Sequence, residues 1–178
     1  APLPDTPVVI QEDVMEIVEA ATQPNIPLIE GEDESDFSED DEVNPQNFYG
    51  QTKFDGELEV SNHSNFVILR TNLFGWNIQD KHSLGEWILR ELKADKRING
   101  FKDAYFSTIY TMELARIIDI TIHKNLTGVY NCGSIDSFTK YEFAVKIAEI
   151  FRYDESLINP ISIDESNLTA KRGKNLSL

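Results

Sequence analysis

A single cysteine, Cys132, stands in 178 residues. One thiol excludes an internal disulfide, and without a C-x-x-C partner it gives no cysteine zinc site. Long apolar runs are also lacking; nothing approaches the ~18 residues a membrane-spanning helix requires. Basic side chains are scarce, 16 Lys and Arg against 31 Asp and Glu, for a net charge of −15. A nucleic-acid partner, which needs basic patches, is therefore not expected. The opening stretch APLPDTPVVIQEDV has neither the basic start nor the apolar centre of a secretory leader. A cytoplasmic location is the expectation, and the N-x-S/T matches at Asn62, Asn125, Asn167 and Asn175 are read as chance. The nine glycines are scattered and form no G-x-G-x-x-G or G-x-x-G-x-x-G, so the chain carries no glycine-rich phosphate turn.

What is present suffices for one packed domain, or a main layer with a small appendage: 40% of residues are hydrophobic and 10% aromatic. The acidic excess is concentrated, with nine Asp and Glu between Glu30 and Glu42. Such a run repels itself and reads as a solvated loop over 31–43. Before it, PVVI (7–10) suggests a strand and EDVMEIVEAA (12–21) a helix with Val14, Ile17, Val18 and Ala21 at helical spacing. IPLIE (26–30) is a further apolar stretch. After the loop, a helix is expected from about Pro45 to about residue 60. The run Phe66–Leu69 predicts a strand buried on both faces of a parallel sheet. Helices follow at about 83–95, presenting Leu84, Trp87, Ile88 and Leu92, and at 111–125, presenting Leu114, Ile117, Ile118 and Ile122. GVYNCG (128–133) reads as a short strand. Thr139 and Glu142 form a capping box for a helix whose buried stripe is Phe143, Ala144, Ile147, Ala148, Ile150 and Phe151. Residues 152–178 read as irregular. Helices alternating with short apolar strands indicate an α/β architecture.

Tyr49 and Lys53 lie at i and i+4 of the expected helix and so project from one face. A free phenol loses its proton near pH ~10, too high for acid–base work at neutrality. A neighbouring ammonium stabilises the phenolate and brings the proton into useful range. Such a tyrosine can protonate a carbonyl oxygen as hydride reaches the carbonyl carbon. Taken alone, Y-x-x-x-K more often reflects an aromatic packing beside a surface charge.

The flanking residues sharpen the reading. GEDESDFSEDDEVNPQNFYGQTKFDGE, VILRTNLFGWN, FSTIYTMELARII, GVYNCGSIDSFTKYEFAVKIAEIF and AKRGKNLSL follow one another in the order of a known family. The chain resembles the extended short-chain dehydrogenase/reductase superfamily, and within it the dTDP-4-dehydrorhamnose reductase group. Thr108 and Gly173 replace prolines usual in that group. The resemblance covers roughly 31–178. It implies a partial Rossmann-like parallel sheet with helices and a small C-terminal substrate-binding subdomain over 44–178. It implies NADP or NAD as cofactor and a 4-keto-6-deoxy sugar nucleotide as substrate. Tyr49 is then the catalytic acid and Lys53 its tuning, ribose-binding partner. Thr71, Asn72 and Leu73 lie beside the nicotinamide. Trp76, Lys171 and Arg172 are candidates for sugar-nucleotide contacts, against packing for Trp76 and solvation for the Lys-Arg pair.

The family's dinucleotide rests on a glycine-rich turn after the first strand, and that turn is not in these residues. IPLIEGE stands where the family's S-T-D-Y-V-F-D-G carries a catalytic Ser or Thr. Residues 1–30 could supply the last strand–helix–strand of a nucleotide-binding sheet but not its phosphate turn. The expectation is a reductase-type chain impaired on its own. The alternatives are a non-catalytic subunit serving a partner enzyme, as the related β subunit of methionine adenosyltransferase does, and a substrate-binding domain without independent role. A homodimer is also compatible.

Overall fold

Asn47 starts the first helix, α1 (Phe48–Ser61): its side-chain oxygen accepts the Gly50 N–H at 2.9 Å. This satisfies one of the donors that a helix N-terminus leaves free. The computed structural model describes residues 37–41, 43, 45, 47–78, 82–166 and 174–178. The elements expected at 7–10, 12–21 and 26–30, and much of the acidic run, lie outside them. No residue of α1 is buried.

The apolar run after α1 forms strand β1 (Val67–Thr71), which pairs in parallel with β6 (Gly128–Cys132), Val67 facing Gly128 and Thr71 facing Cys132. Two further parallel pairs join β2 (Leu73–Phe74) to β5 (Ile109–Tyr110), and β3 (Ile98–Phe101) to β8 (Ile158–Ile161). A three-stranded piece sets β4 (Tyr105–Phe106) between antiparallel β7 (Phe138–Thr139) and parallel β9 (Asn175–Leu176). Helices α2 (Leu84–Lys93), α3 (Thr111–His123) and α4 (Lys140–Phe151) complete the α/β architecture that the sequence pattern implies.

The core lies where α2 and α4 cross β3 and β8. Ile88 and Leu92 of α2 meet Phe143, Ala144, Ile147 and Ala148 of α4, with Ile98, Phe106 and Ile158 beneath. Burial of Ile88 and Leu92, each 1% exposed, contributes about 1.5–3 kcal/mol apiece. Both helices begin with a capping box, Ser83 with Glu86 and Thr139 with Glu142. Phe143 extends the core outward: its ring makes edge contacts with Phe106 (5.3 Å) and Phe74 (5.8 Å). Packing of α4 thereby fixes β2.

Four sequence expectations are corrected. β1 is half-buried along its length rather than sealed on both faces. Among the described residues it pairs with β6 alone, and α1 lies beside it with no side chain fully inserted. On α3 the inward face is Leu114, Ile117 and Thr121, whereas Ile118 and Ile122 are exposed. The helix expected over 83–95 is shorter, with Leu84 partly exposed. Residues 152–178, read as irregular, include β8, β9 and 3-10 turns at Glu155–Leu157 and Ile163–Glu165. Asn159 and Pro160 disguised β8; proline is tolerated there because β8 has one strand neighbour among the described residues, β3.

Gly100 of β3 lies so close to α4 that a Cβ would sit 2.8 Å from the Tyr141 Cα, whereas one at Gly56 of α1 would meet nothing within 4 Å. Gly100→Ala is expected to destabilise by about 1–3 kcal/mol through overpacking. Gly56→Ala should stabilise by about 0.5–1 kcal/mol through helix propensity. Urea unfolding of the two variants gives opposite shifts in midpoint if this packing is right.

Candidate functional site

Tyr49 and Lys53 share one face of α1, with the Lys53 ammonium 5.3 Å from the centroid of the Tyr49 ring. The tyrosine is 71% exposed, so the phenol is open to a ligand. Pro45 packs against Gly50, whose added Cβ would stand 3.2 Å from the proline Cβ. Together with the Asn47 cap, this contact sets where the helix begins and hence where Tyr49 points. Asn47 and Glu57 escaped the sequence reading as site-shaping residues. The signal for Asn47 was present: an Asx residue just before a helix is a strong N-cap pattern.

Glu57, one turn beyond Lys53, ties α1 to β1. Arg70 Nη2 donates to Glu57 Oε2 at 2.8 Å, and Arg70 Nε donates to Oε1 at 3.1 Å. Both side chains are mostly shielded, at 20% and 23% exposure, so this two-point pair is stronger than an open surface bridge. On the neighbouring strand, Asn131 is the register partner of Arg70. Its backbone N–H donates to Glu39 Oε1 at 2.7 Å, and its side chain donates to the Phe37 carbonyl at 2.6 Å. The Asn131 N–H, the Glu39 backbone and then Arg70 hold the Glu39 carboxyl below the ordinary carboxylate range.

Immediately after Arg70 come Thr71, Asn72 and Leu73. Thr71 is half-buried at the end of β1, and Leu73 is 48% exposed. Asn72 donates from Nδ2 to the Ser107 carbonyl at 3.1 Å and to the Leu176 carbonyl at 3.0 Å. Both carboxamide hydrogens are thus used inside the fold. The Asn72 backbone carbonyl accepts the Ile109 N–H at 2.9 Å and the Thr108 hydroxyl at 3.1 Å. The Thr108 N–H also donates to Ser134 Oγ at 3.2 Å. A proline at 108 would have no N–H and no hydroxyl to make either bond.

Trp76 is 47% exposed and borders an apolar niche lined by Phe74, Tyr110, Phe143 and Ile147. The niche holds about 40 Å³, far below the ~300 Å³ of ordinary ligand pockets, so it is a packing gap beneath the indole rather than a sugar-nucleotide cavity. The loop beyond Trp76 is closed by Glu86, which accepts from the Asn77 N–H (2.8 Å), the Asn77 side chain (2.6 Å) and the Ser83 N–H (2.7 Å). Burial works to raise this carboxyl, but the Asn77 and Ser83 hydrogen bonds outweigh it and hold it at about 2. Lys171 and Arg172 lie outside the described residues. The structure therefore brings Thr71, Asn72 and Leu73 together on one loop and ties that loop's strand to the Tyr49–Lys53 helix through Glu57. Trp76 stands on the α2 side of β2. No group of three or more His, Cys, Asp or Glu suited to a metal occurs among the described residues.

For a nicotinamide dinucleotide, the donor set fits one end. The Tyr49 hydroxyl and Lys53 ammonium are exposed on one helix face and match ribose hydroxyls in chemistry. The 178 residues contain no G-x-G-x-x-G or G-x-x-G-x-x-G motif for the pyrophosphate.

The parallel strand pairs, the Tyr–Lys helix and the loop after β1 place the chain among reductase-type α/β domains. Residues 9–178 match the family described as RmlD substrate binding domain, and the chain belongs to that family. Among solved structures, it is similar to a dTDP-4-dehydrorhamnose reductase from Clostridium acetobutylicum, with a TM-score of 0.75 at 29% identity, covering 85% of this chain and 53% of that one. The corresponding reductase from Bacillus anthracis, in complex with NADP, gives a TM-score of 0.75 at 27% identity, covering 84% of this chain and 53% of that one. The methionine adenosyltransferase 2 subunit beta of Danio rerio is 25% identical over 151 residues, 80% of this chain and 46% of that protein. The chain spans about half the length of these relatives.

Two outcomes follow from the geometry. Glu57→Gln or Arg70→Met should cost about 1–2 kcal/mol, between the values for exposed and fully buried pairs, and should speed hydrogen exchange across α1 before the core. The folded Glu86 carboxyl titrates below its unfolded value of ~4.3. Its contribution is therefore complete above that value and is lost as pH falls toward 2. The Trp76 indole N–H resonance should broaden or shift in that acid window, and Glu86→Gln should show the loosened state already at pH 7.

Proposed function

We propose that this chain supplies the acid–base and substrate-facing side of a reductase that converts a 4-keto-6-deoxy sugar nucleotide to the alcohol using NADPH or NADH. The observation that carries the reading is the exposed Tyr49 with the Lys53 ammonium over its ring, on a chain whose solved relatives include an NADP-complexed dTDP-4-dehydrorhamnose reductase. Tyr49 would place its hydroxyl at the keto oxygen and give up its proton there. Lys53 would hold the ribose hydroxyls and stabilise the negative charge left on the phenol oxygen. Thr71 and Leu73 would border the nicotinamide. Trp76, Lys171 and Arg172 are the candidates for contacts to the sugar nucleotide. The cofactor, when bound, supplies the hydride.

The chain lacks the phosphate turn on which a dinucleotide's pyrophosphate rests. Dinucleotide affinity of these 178 residues alone is therefore weak in this reading, and turnover is residual. A second reading, a non-catalytic subunit that serves a partner enzyme, draws on the similarity to methionine adenosyltransferase 2 subunit beta. It also draws on the exposed Phe48 and Leu58 of α1, which a partner or a second copy would cover. A cytoplasmic setting suits either reading; no described helix is long and apolar enough to cross a membrane.

The test is a titration of the chain with NADPH, followed by turnover of a dTDP-4-keto-6-deoxyhexose. Tyr49→Phe should leave NADPH binding unchanged and lower turnover by about 10²–10⁴-fold, the usual weight of a general acid. Lys53→Met should weaken binding and turnover together. Micromolar NADPH binding by the wild-type chain would refute the impairment. Turnover untouched by Tyr49→Phe would refute the acid role. Absence of turnover, together with co-purification of a larger enzyme, would favour the subunit reading.

A further inference from the structure

Residues 174–178 touch the Asn72 loop of the candidate site and the Phe37–Asp41 segment. β9 pairs with β4, and the Tyr105 N–H donates to the Lys174 carbonyl at 2.7 Å. The Leu176 carbonyl accepts one hydrogen of the Asn72 carboxamide. The Ser177 carbonyl accepts the Phe37 N–H at 3.4 Å. The Leu178 N–H donates to Ser107 Oγ at 3.2 Å, while the Ser107 carbonyl takes the other Asn72 hydrogen. Lys174 is pinned in turn by ion pairs to Asp103 and Asp164. Ser177 is fully buried and Ser107 is 1% exposed. A segment of five residues therefore contacts Phe37, whose carbonyl also meets Asn131 of β6, and the loop beside Thr71 and Leu73 at Asn72.

We propose that residues 174–178 are a brace that sets the Phe37–Asp41 segment and the Thr71–Leu73 loop relative to each other, with Asn72 as the positioning residue through which it acts. The inference rests on the reductase reading for what the Thr71–Leu73 loop does, and on the hydrogen bonds alone for the two segments being joined. A carboxamide with both hydrogens committed to Ser107 and Leu176 has no donor left for a nicotinamide. Asn72 therefore works on its neighbours, by holding the backbone that carries Thr71 and Leu73. Loss of its side chain leaves the Ser107 and Leu176 carbonyls without that donor, and the lost hydrogen bonds favour local opening.

Two variants separate the brace from general stability. Asn72→Ala cuts the link to Leu176. Thr108→Val removes the hydroxyl bond to the Asn72 carbonyl and leaves the 174–178 contacts intact. Hydrogen exchange by NMR should show the Leu178 and Phe37 amides opening about 10-fold or more faster in Asn72→Ala, with the core amides of Ile88 and Leu92 nearly unchanged. In Thr108→Val the acceleration should stay at Leu73 and Ile109. Asn72→Ala without any change at Leu178 and Phe37 would overturn the brace, and so would uniform acceleration through the core. In residual turnover with NADPH, a positioning role lowers kcat with KM for NADPH little changed, whereas a cofactor ligand would raise KM; a rise in KM alone would overturn the assignment. If the wild-type chain neither binds NADPH nor turns over and co-purifies with a larger enzyme, the subunit reading replaces the reductase one. The exchange pattern then decides by itself whether the two segments are joined.

Discussion

The Glu57–Arg70 pair is the interaction on which the candidate site depends. α1 buries none of its side chains, so the hydrophobic effect does little to hold it in place. A guanidinium that meets one carboxylate through two nitrogens fixes orientation as well as distance. Glu57 is one turn from Lys53, and Arg70 immediately precedes Thr71. The same contact therefore orients the Tyr–Lys face and places it with respect to the end of β1. Arg70 is steadied from the other side as well: Glu39, held by the Asn131 N–H, adds a second negative charge nearby. A polar clamp does here what packing does elsewhere in the molecule.

The rest of the fold has a different foundation. α2, α4, β3 and β8 form a core that is apolar and tightly packed, down to the Gly100–Tyr141 approach. Phe143 carries that rigidity outward through Phe74 to the strand that begins at Leu73. The Thr71–Leu73 loop is thus anchored by a rigid core on one side and a hydrogen-bonded segment on the other. The Tyr49 helix is anchored by charge and by its lead-in residues. Such a division suits a site that must admit a bulky ligand between two elements, because the more loosely held one can adjust.

Much of this was legible in the sequence, for identifiable reasons. The Thr139–Glu142 box and the stripe at Phe143, Ala144, Ile147 and Ala148 announced α4, because capping and burial agreed. The Tyr49–Lys53 helix was legible from spacing and from the residues around it. β8 was missed because Asn159 and Pro160 are turn formers in isolation, and its pairing with β3 reaches across about sixty residues. The outward turn of Ile118 and Ile122 on α3 was missed because periodicity gives a stripe but not its centre; the centre lies at Ile117 and Thr121. Glu57 and Arg70 could not be paired from sequence, since surface acids are plentiful here and no spacing rule links a helix to the next strand. Asn72 was named from the sequence as a candidate beside the nicotinamide, while the commitment of its carboxamide to Ser107 and Leu176 emerged only in three dimensions.

Cys132 closes β6 opposite Thr71 and is buried. Burial, and secondarily the Glu39 charge, push its thiol up from the ordinary value. The native protein therefore presents little thiolate to an alkylating reagent. With no second cysteine to confuse the signal, modification of this sulfur becomes a built-in clock for the parting of β1 and β6. The rate at which a maleimide captures it reports how often that end of the strand pair comes apart, without a dye, a tag or an engineered residue.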